Sequence, residues 1–409
     1  MIATLVPRTR SQAAPERLAA PAPIRARLDA VDVVRGLAMV LMILDHVRVY
    51  LLAARFDPTD LGRTSASLFL TRWVTHFCAP AFIFLSGTSA FLSGVRRGRP
   101  ALAAFLLKRG LWLVLLELTL VHFGWFFGFS YRVVFLQVIW AIGWSMVALA
   151  GLVFLRPPAV AAVGGAIVAL HNVVNEAMTD LPAPLEFLWR AAHEPGRLEF
   201  LPGHRIVSTY PVLPWLGVMA AGYGFGALLL RDGTKLRRRA LALGTVLTLA
   251  FFAVRGANLG DPHPWAPAAA GGVKTALSFL NCCKYPPSPA FILMTLGPTL
   301  LALGLCAGAP GAFGKVFARF GRVPLFFYLI HLPLVHAVAV ALCYARHGYS
   351  PGMFEYPLFF PAGQLPTGYG FRLSVVYLIW AALLPPLYLL CGWFARLKQR
   401  RGDWWLSYL

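Results

Sequence analysis

The chain has 409 residues, of which 58% are hydrophobic and only 13% charged. Soluble domains carry about 25% charged residues, so this balance excludes an ordinary soluble globular protein. The formal net charge of +21 points toward nucleic acid at first sight. However, apolar runs of membrane-spanning length recur from end to end and leave no basic soluble module to bind it.

In chain order, residues 1–27 are rich in Arg, Ala and Pro without an apolar core, and read as a disordered cytoplasmic tail rather than a cleaved leader. Ten spans follow, roughly at 32–54, 72–94, 104–127, 132–155, 157–175, 210–230, 238–255, 287–307, 323–345 and 372–395. They predict an all-α, polytopic integral membrane protein, with one transmembrane domain over 28–396 and a cytoplasmic tail over 397–409. Basic clusters (Arg96, Arg97 and Arg99; Arg237, Arg238 and Arg239; Arg396, Lys398, Arg400 and Arg401) fall on one side of this arrangement. The positive-inside rule then puts both termini in the cytoplasm. The longest polar connections, about 176–209, 256–286 and 346–371, all lie outside and carry Pro, Trp and other aromatics, as a lid or rim would. Cys78, Cys306, Cys343 and Cys391 lie in spans, while Cys282 and Cys283 are adjacent in an outer loop, so neither a disulfide framework nor a CxxC metal spacing is expected.

The first span, "VDVVRGLAMVLMILDHVRVYLL", carries Asp32, Arg35, Asp45, His46 and Arg48. A charged group at the bilayer centre costs roughly 2.5–3.5 kcal/mol on insertion scales, and an anchor has no use for several. Asp32, Arg35, Met39, Met42 and His46 recur at three- and four-residue intervals and share one helical face. Arg35 and His46 lie within about 20° of each other around the helix and roughly 16 Å apart along it. That face runs from an ionic inner entrance to an intramembrane imidazole able to exchange a proton near pH 7. Asp45 and Arg48 point elsewhere, toward neighbouring helices; mutual satisfaction within the bundle would explain Asp32 and Asp45 equally well.

Other spans add candidates. Arg72 and His76 lie near the outer end of the second span, with Ser86 and Gly87 deeper, where small residues let helices approach closely. Trp215 opens the sixth span; Lys284, Tyr285 and Ser288 open the eighth at the outer interface, where snorkelling alone would account for the lysine. The ninth places Tyr328 and His331 one turn apart, with His336 beyond. There is no GxSxG elbow, HExxH, Walker A or GxGxxG before a helix, so neither nucleotide hydrolysis, metalloprotease chemistry nor a Rossmann cofactor is indicated, and no metal site is expected.

The segments "LDAVDVVRGLAMVLMILDHVR", "THFCAPAFIFLSGTSAFL", "YPVLPWLGVMAAGYGFG", "KYPPSPAFILMTLGP" and "FGRVPLFFYLIHLPLVH" together resemble the bacterial membrane family grouped with heparan-α-glucosaminide N-acetyltransferase catalytic domains. The first helix also resembles membrane acyltransferase 3, in which an Arg-Gly-Leu-Ala start is followed eleven residues after the Arg by an intramembrane His implicated in acyl transfer. Here that spacing gives Arg35 and His46, and "FIFLSG" is similar to the second-helix segment of that family. The chain departs from the eukaryotic heparan enzyme, which has Asn where His46 stands and its active-site His where Asp57 stands.

The resemblance implies transfer of an acyl group, acetyl by family, from cytoplasmic acyl-CoA to a hydroxyl or amine of a glycan or envelope acceptor, at the bacterial cytoplasmic (inner) membrane. Acyl-CoA would be a co-substrate rather than a permanently bound cofactor. His46 would act as base or as transient acyl-imidazole nucleophile. Arg35 and the basic inner loops would hold the CoA phosphates, and Trp215, Lys284 and Tyr285 would orient the acceptor. His76 and His331 join the binding set, with Asp45, Asp57 and His336 as further partners, and a homodimer is an arrangement open to such a chain. Two rival readings stand beside this one. A proton-coupled secondary transporter would show inverted repeats with broken helices. A polyprenyl-dependent glycosyltransferase would use an outer acidic pair such as Asp57 and Asp60, although a solvated turn explains "DPTD" as well. A non-catalytic scaffold is the remaining reading.

Overall fold

The computed structural model describes residues 22–174, 182–230, 235–268, 271–308, 311–355, 365–401 and 403–407. Most of the expected 1–27 tail lies outside them; the first helix, α1 (Ala22–Leu51), begins inside that stretch. The second expected span is two helices, α2 (Ala66–Thr75) and α3 (Cys78–Arg97), joined at His76. Next come α4 (Arg99–Leu116), a π-helical turn (Glu117–Val121), α5 (His122–Phe126), α6 (Val138–Leu152), α7 (Pro157–Val174) and α8 (Ala183–His193). The second half holds α9 (Val212–Leu230), α10 (Leu236–Gly256), α11 (Gly272–Leu280), α12 (Pro289–Leu305), α13 (Ala312–Gly321), α14 (Pro324–His347), α15 (Gly352–Glu355) and α16 (Leu373–Arg400).

The molecule is mostly helical, but the all-α expectation needs a correction. A three-stranded sheet in the order β1-β3-β2 joins β1 (Val133–Leu136), parallel, and β2 (Gly196–Leu201), antiparallel, to β3 (His204–Ser208). The apolar run "VVFL" reads as the start of the fourth span, yet its backbone pairs with residues 205–208, so that helix starts only at Val138. Four apolar β-favouring residues suit a buried strand as well as a helix, and length decides between them.

Among the described residues, five stretches are long and apolar enough to cross a membrane: Ala66–Arg97, Val212–Leu230, Leu236–Gly256, Pro324–His347 and Leu373–Arg400. Helices α6 and α12 and the Pro157–Asn172 part of α7 are apolar but shorter. Helix α1 carries Asp32, Arg35, Asp45 and Arg48, which lowers its hydropathy.

Close helix crossings depend on glycine. A Cβ on Gly36 of α1 would strike the Phe317 carbonyl of α13, and one on Gly321 would strike the Asp32 carbonyl. The same reciprocity joins α3 and α9, where Gly87 faces Met219 and Gly222 faces Phe84. Thr88 Oγ1 also donates to the Gly222 carbonyl at 3.0 Å. Small residues thus bring backbones into contact where lipid offers no hydrophobic drive between helices.

Candidate active site

Helix α1 delivers His46 to the boundary with α14, where His331 waits. His46 Nδ1 lies 2.7 Å from His331 Nε2, with the rings stacked at 4.9 Å between centroids. On its other side, His331 Nδ1 lies 3.0 Å from the Phe327 carbonyl one turn back in α14. A carbonyl only accepts, so His331 Nδ1 carries a hydrogen. His331 is fully enclosed, with Phe327 stacked on it and Tyr328 edge-on, and contacts no carboxylate among the described residues, so the neutral ring suits its surroundings. Its Nε2 is then a lone pair, and His46 Nδ1 must donate to it. The remaining nitrogen, His46 Nε2, is left as an acceptor. His46 keeps some accessible surface, and Trp125 meets it edge-on at 5.3 Å.

Asp45, next in sequence, faces away from this pair. Its Oδ1 accepts from Arg48 Nη2 at 2.9 Å, Arg48 Nε at 3.2 Å and Thr75 Oγ1 at 3.1 Å, and its Oδ2 from Arg72 Nη1 at 2.5 Å. Asp45 therefore pairs with α2, whereas Arg48, also expected to face a neighbouring helix, pairs with Asp45 on its own helix, and the partner on the His46 ring is His331. Such a pair holds α1 and α2 in register, since removing one member would strand a buried charge.

One wall is the "CCKYPPSP" loop, staked by Asp261. Its enclosed carboxylate accepts from Cys283 N at 2.8 Å and Ser288 Oγ at 2.5 Å, and lies 3.7 Å from Arg255 Nη1. Ser288 in turn caps α12 by accepting from Phe291 N. Arg255 donates to the carbonyls of His263, Ser278, Phe279 and Asn281, so one guanidinium closes the C-terminal end of α11. His171 Nε2 lies 2.9 Å from the Pro287 carbonyl. Just before this loop, α11 rests on the turn after α1: Lys274 donates to the Leu61 and Thr64 carbonyls, and Asn281 to that of Thr59.

From this loop Lys284 reaches inward, its ammonium 5.1 Å from the Tyr285 ring centre and 5.7 Å from that of Tyr210. It is close enough to act electrostatically on Asp45, His46 and His76. Burial pushes the Tyr285 phenol up, but the Lys284 ammonium and the Arg72 guanidinium pull harder and hold it at about 8. Trp215, in the first turn of α9, is fully buried against Tyr210 at 5.5 Å.

Three turns back from His46 along α1, Arg35 is held between Asp32 Oδ1 at 3.4 Å and Ser89 Oγ at 2.9 Å. His76 caps α2 and packs on Phe291, its Nδ1 buried without a partner among the described residues. Two other expected partners stand apart. His336 bridges the Gly124 and Met353 carbonyls at 3.0 and 2.7 Å and stacks between Tyr50 and Phe127, which makes it a strut between α5 and α15. Asp57 lies exposed, its Oδ1 accepting from Thr59 N and Oγ1, and Asp60 accepts from Gly62 N; both are committed to turns. Reading by spacing overlooked Trp125, the aromatic wall of His46, and Glu117, whose Oε1 and Oε2 accept from Gln137 N and Trp140 N at 3.1 Å each and cap α6. A lone carboxylate in an apolar run was the available signal for Glu117.

Among curated proteins none matches the chain. The profile of the heparan-alpha-glucosaminide N-acetyltransferase catalytic family matches residues 27–257, taking in His46, Arg35, Arg72 and Trp215 but ending before Lys284 and His331. With more than half of its length matched, and with its apolar helices, this chain is an integral membrane protein that belongs to the heparan-alpha-glucosaminide N-acetyltransferase catalytic family, a family of acetyltransferases.

Proposed function

We propose that the protein moves an acetyl group from cytoplasmic acetyl-CoA to a hydroxyl or amine of a glycan or envelope acceptor reached from the opposite face. The observation that carries this reading is the hydrogen-bonded run from the Phe327 carbonyl through His331 to His46, which leaves His46 Nε2 as a proton acceptor. Nε2 removes the proton of the acceptor hydroxyl or amine as its oxygen or nitrogen attacks the thioester carbonyl. The tetrahedral intermediate collapses with cleavage of the carbon–sulfur bond, and the proton passes from Nε2 to the departing CoA sulfur. His331 holds the ring and, through Nε2, stabilises the charge that His46 gains, the role a buried partner plays for a catalytic histidine elsewhere. Acetyl-CoA enters as co-substrate, its phosphates met by Arg35 and the basic inner loops.

The proposed setting is ten crossings of a bacterial inner membrane with both termini cytoplasmic, supported by the distribution of Lys and Arg. Mass spectrometry of envelope glycans and lipids from cells with and without the gene tests the function. The expected result is an acetyl mass difference on one class of molecule; identical envelopes together with no acetyl transfer by purified protein would refute it.

A further inference from the structure

The charges around His46 do not balance. Arg48 and Arg72 converge on Asp45, which these two guanidiniums and Thr75 already take, and Lys284 lies near enough to act on the same carboxylate. Lys284 is 8% exposed and makes no ion pair among the described residues. Asp57 is the next carboxylate to act on Arg48, but it lies exposed in its turn, where water screens it. The tyrosine rings around Lys284 stabilise a cation without neutralising it. Buried charges are ordinarily paired, so an enclosed ammonium beside two guanidiniums and one saturated carboxylate calls for an anion. The cluster is not sealed: Asp45, His46, Arg72 and Tyr285 all retain some accessible surface. It lies at the outer end of α1 and is roofed by the loop that Asp261 stakes.

We propose that this is an anion subsite, in which Lys284, with Arg72 and Arg48 behind it, holds a carboxylate or phosphate group carried by the acceptor and so sets the acceptor's hydroxyl or amine beside His46. The assignment to the acceptor rests on the acyl-transfer reading above. The lowered Tyr285 phenol agrees with an excess of positive potential here. Nothing covalent is involved; the subsite orients one reactant and discriminates against uncharged ones.

The test is equilibrium binding to the full-length protein in detergent, with inorganic phosphate and D-glucuronate as probes and D-glucose as the uncharged control, each with and without saturating acetyl-CoA. At least one anion should bind while glucose does not, and acetyl-CoA should leave that binding in place. Lys284→Gln should weaken it about tenfold or more while changing acetyl-CoA affinity less than about twofold, and Lys284→Arg should restore it. Failure of both anions to bind, or equal binding by Lys284→Gln, would overturn the subsite. Displacement of the anion by acetyl-CoA would overturn the assignment to the acceptor, giving these cations to the CoA phosphates. The wild-type arms decide even if Lys284→Gln does not fold. Because no arm reads turnover, an absence of acetyl transfer would count against the function without touching this result.

Discussion

His46 and His331 meet across the α1–α14 boundary at 2.7 Å, although 285 residues separate them in the chain. The contact gives each ring one defined tautomer, because the Phe327 carbonyl fixes which nitrogen of His331 carries hydrogen. On the proposed mechanism His331 would act through His46, as a positioning residue, and its replacement should tell. His331→Leu should lower kcat by about 10²-fold with little change in KM for acetyl-CoA. His331→Gln, whose side-chain oxygen can accept from His46 Nδ1, should recover part of the loss. Equal turnover by both variants and the wild type would remove His331 from the mechanism.

Glu117 offers a purely structural prediction. Its carboxylate satisfies two backbone N–H groups at the start of α6, and losing such a cap costs about 0.5–2 kcal/mol. Glu117→Leu should lower the thermal midpoint of the purified protein by several degrees and leave KM unaltered. An unchanged midpoint would mean that the cap contributes nothing.

Orientation can be read with introduced cysteines at two exposed arginines, Arg63 in the turn between α1 and α2 and Arg96 at the end of α3. A membrane-impermeant maleimide should label Arg63→Cys in intact cells and Arg96→Cys only after permeabilisation. The reverse pattern would invert the assigned topology.

Arg35 and Lys284 mark opposite ends of the site. Arg35→Ala should weaken acetyl-CoA binding more than Lys284→Ala if, as proposed, the CoA phosphates enter at the basic face near Arg35. Equal effects on acetyl-CoA affinity would dissolve this division.

The legible part of the site is what helical periodicity encodes. Arg35 and His46 share a face because eleven residues make just over three whole turns, and Gly87 is small for a close crossing that the structure contains. Which histidine would stand opposite His46 was not legible. That depends on how α1 and α14 pack, and His76, His331 and His336 carry the same side chain with no local mark of their neighbours. Only the structure separates the His331 contact from the His336 strut. Strand Val133–Leu136 was misread for a related reason: its partner, residues 205–208, lies some seventy residues away, and four apolar residues carry no period by themselves.

The most direct measurement is the turnover of His46→Ala in purified, folded form, with acetyl-CoA binding measured on the same sample. If His46 Nε2 takes the acceptor's proton, turnover should fall by about 10²–10⁴-fold, while acetyl-CoA affinity, set mainly at the Arg35 end, stays near that of the wild type. Turnover close to wild type in a variant that still binds acetyl-CoA would contradict the account and place the proton transfer on another residue.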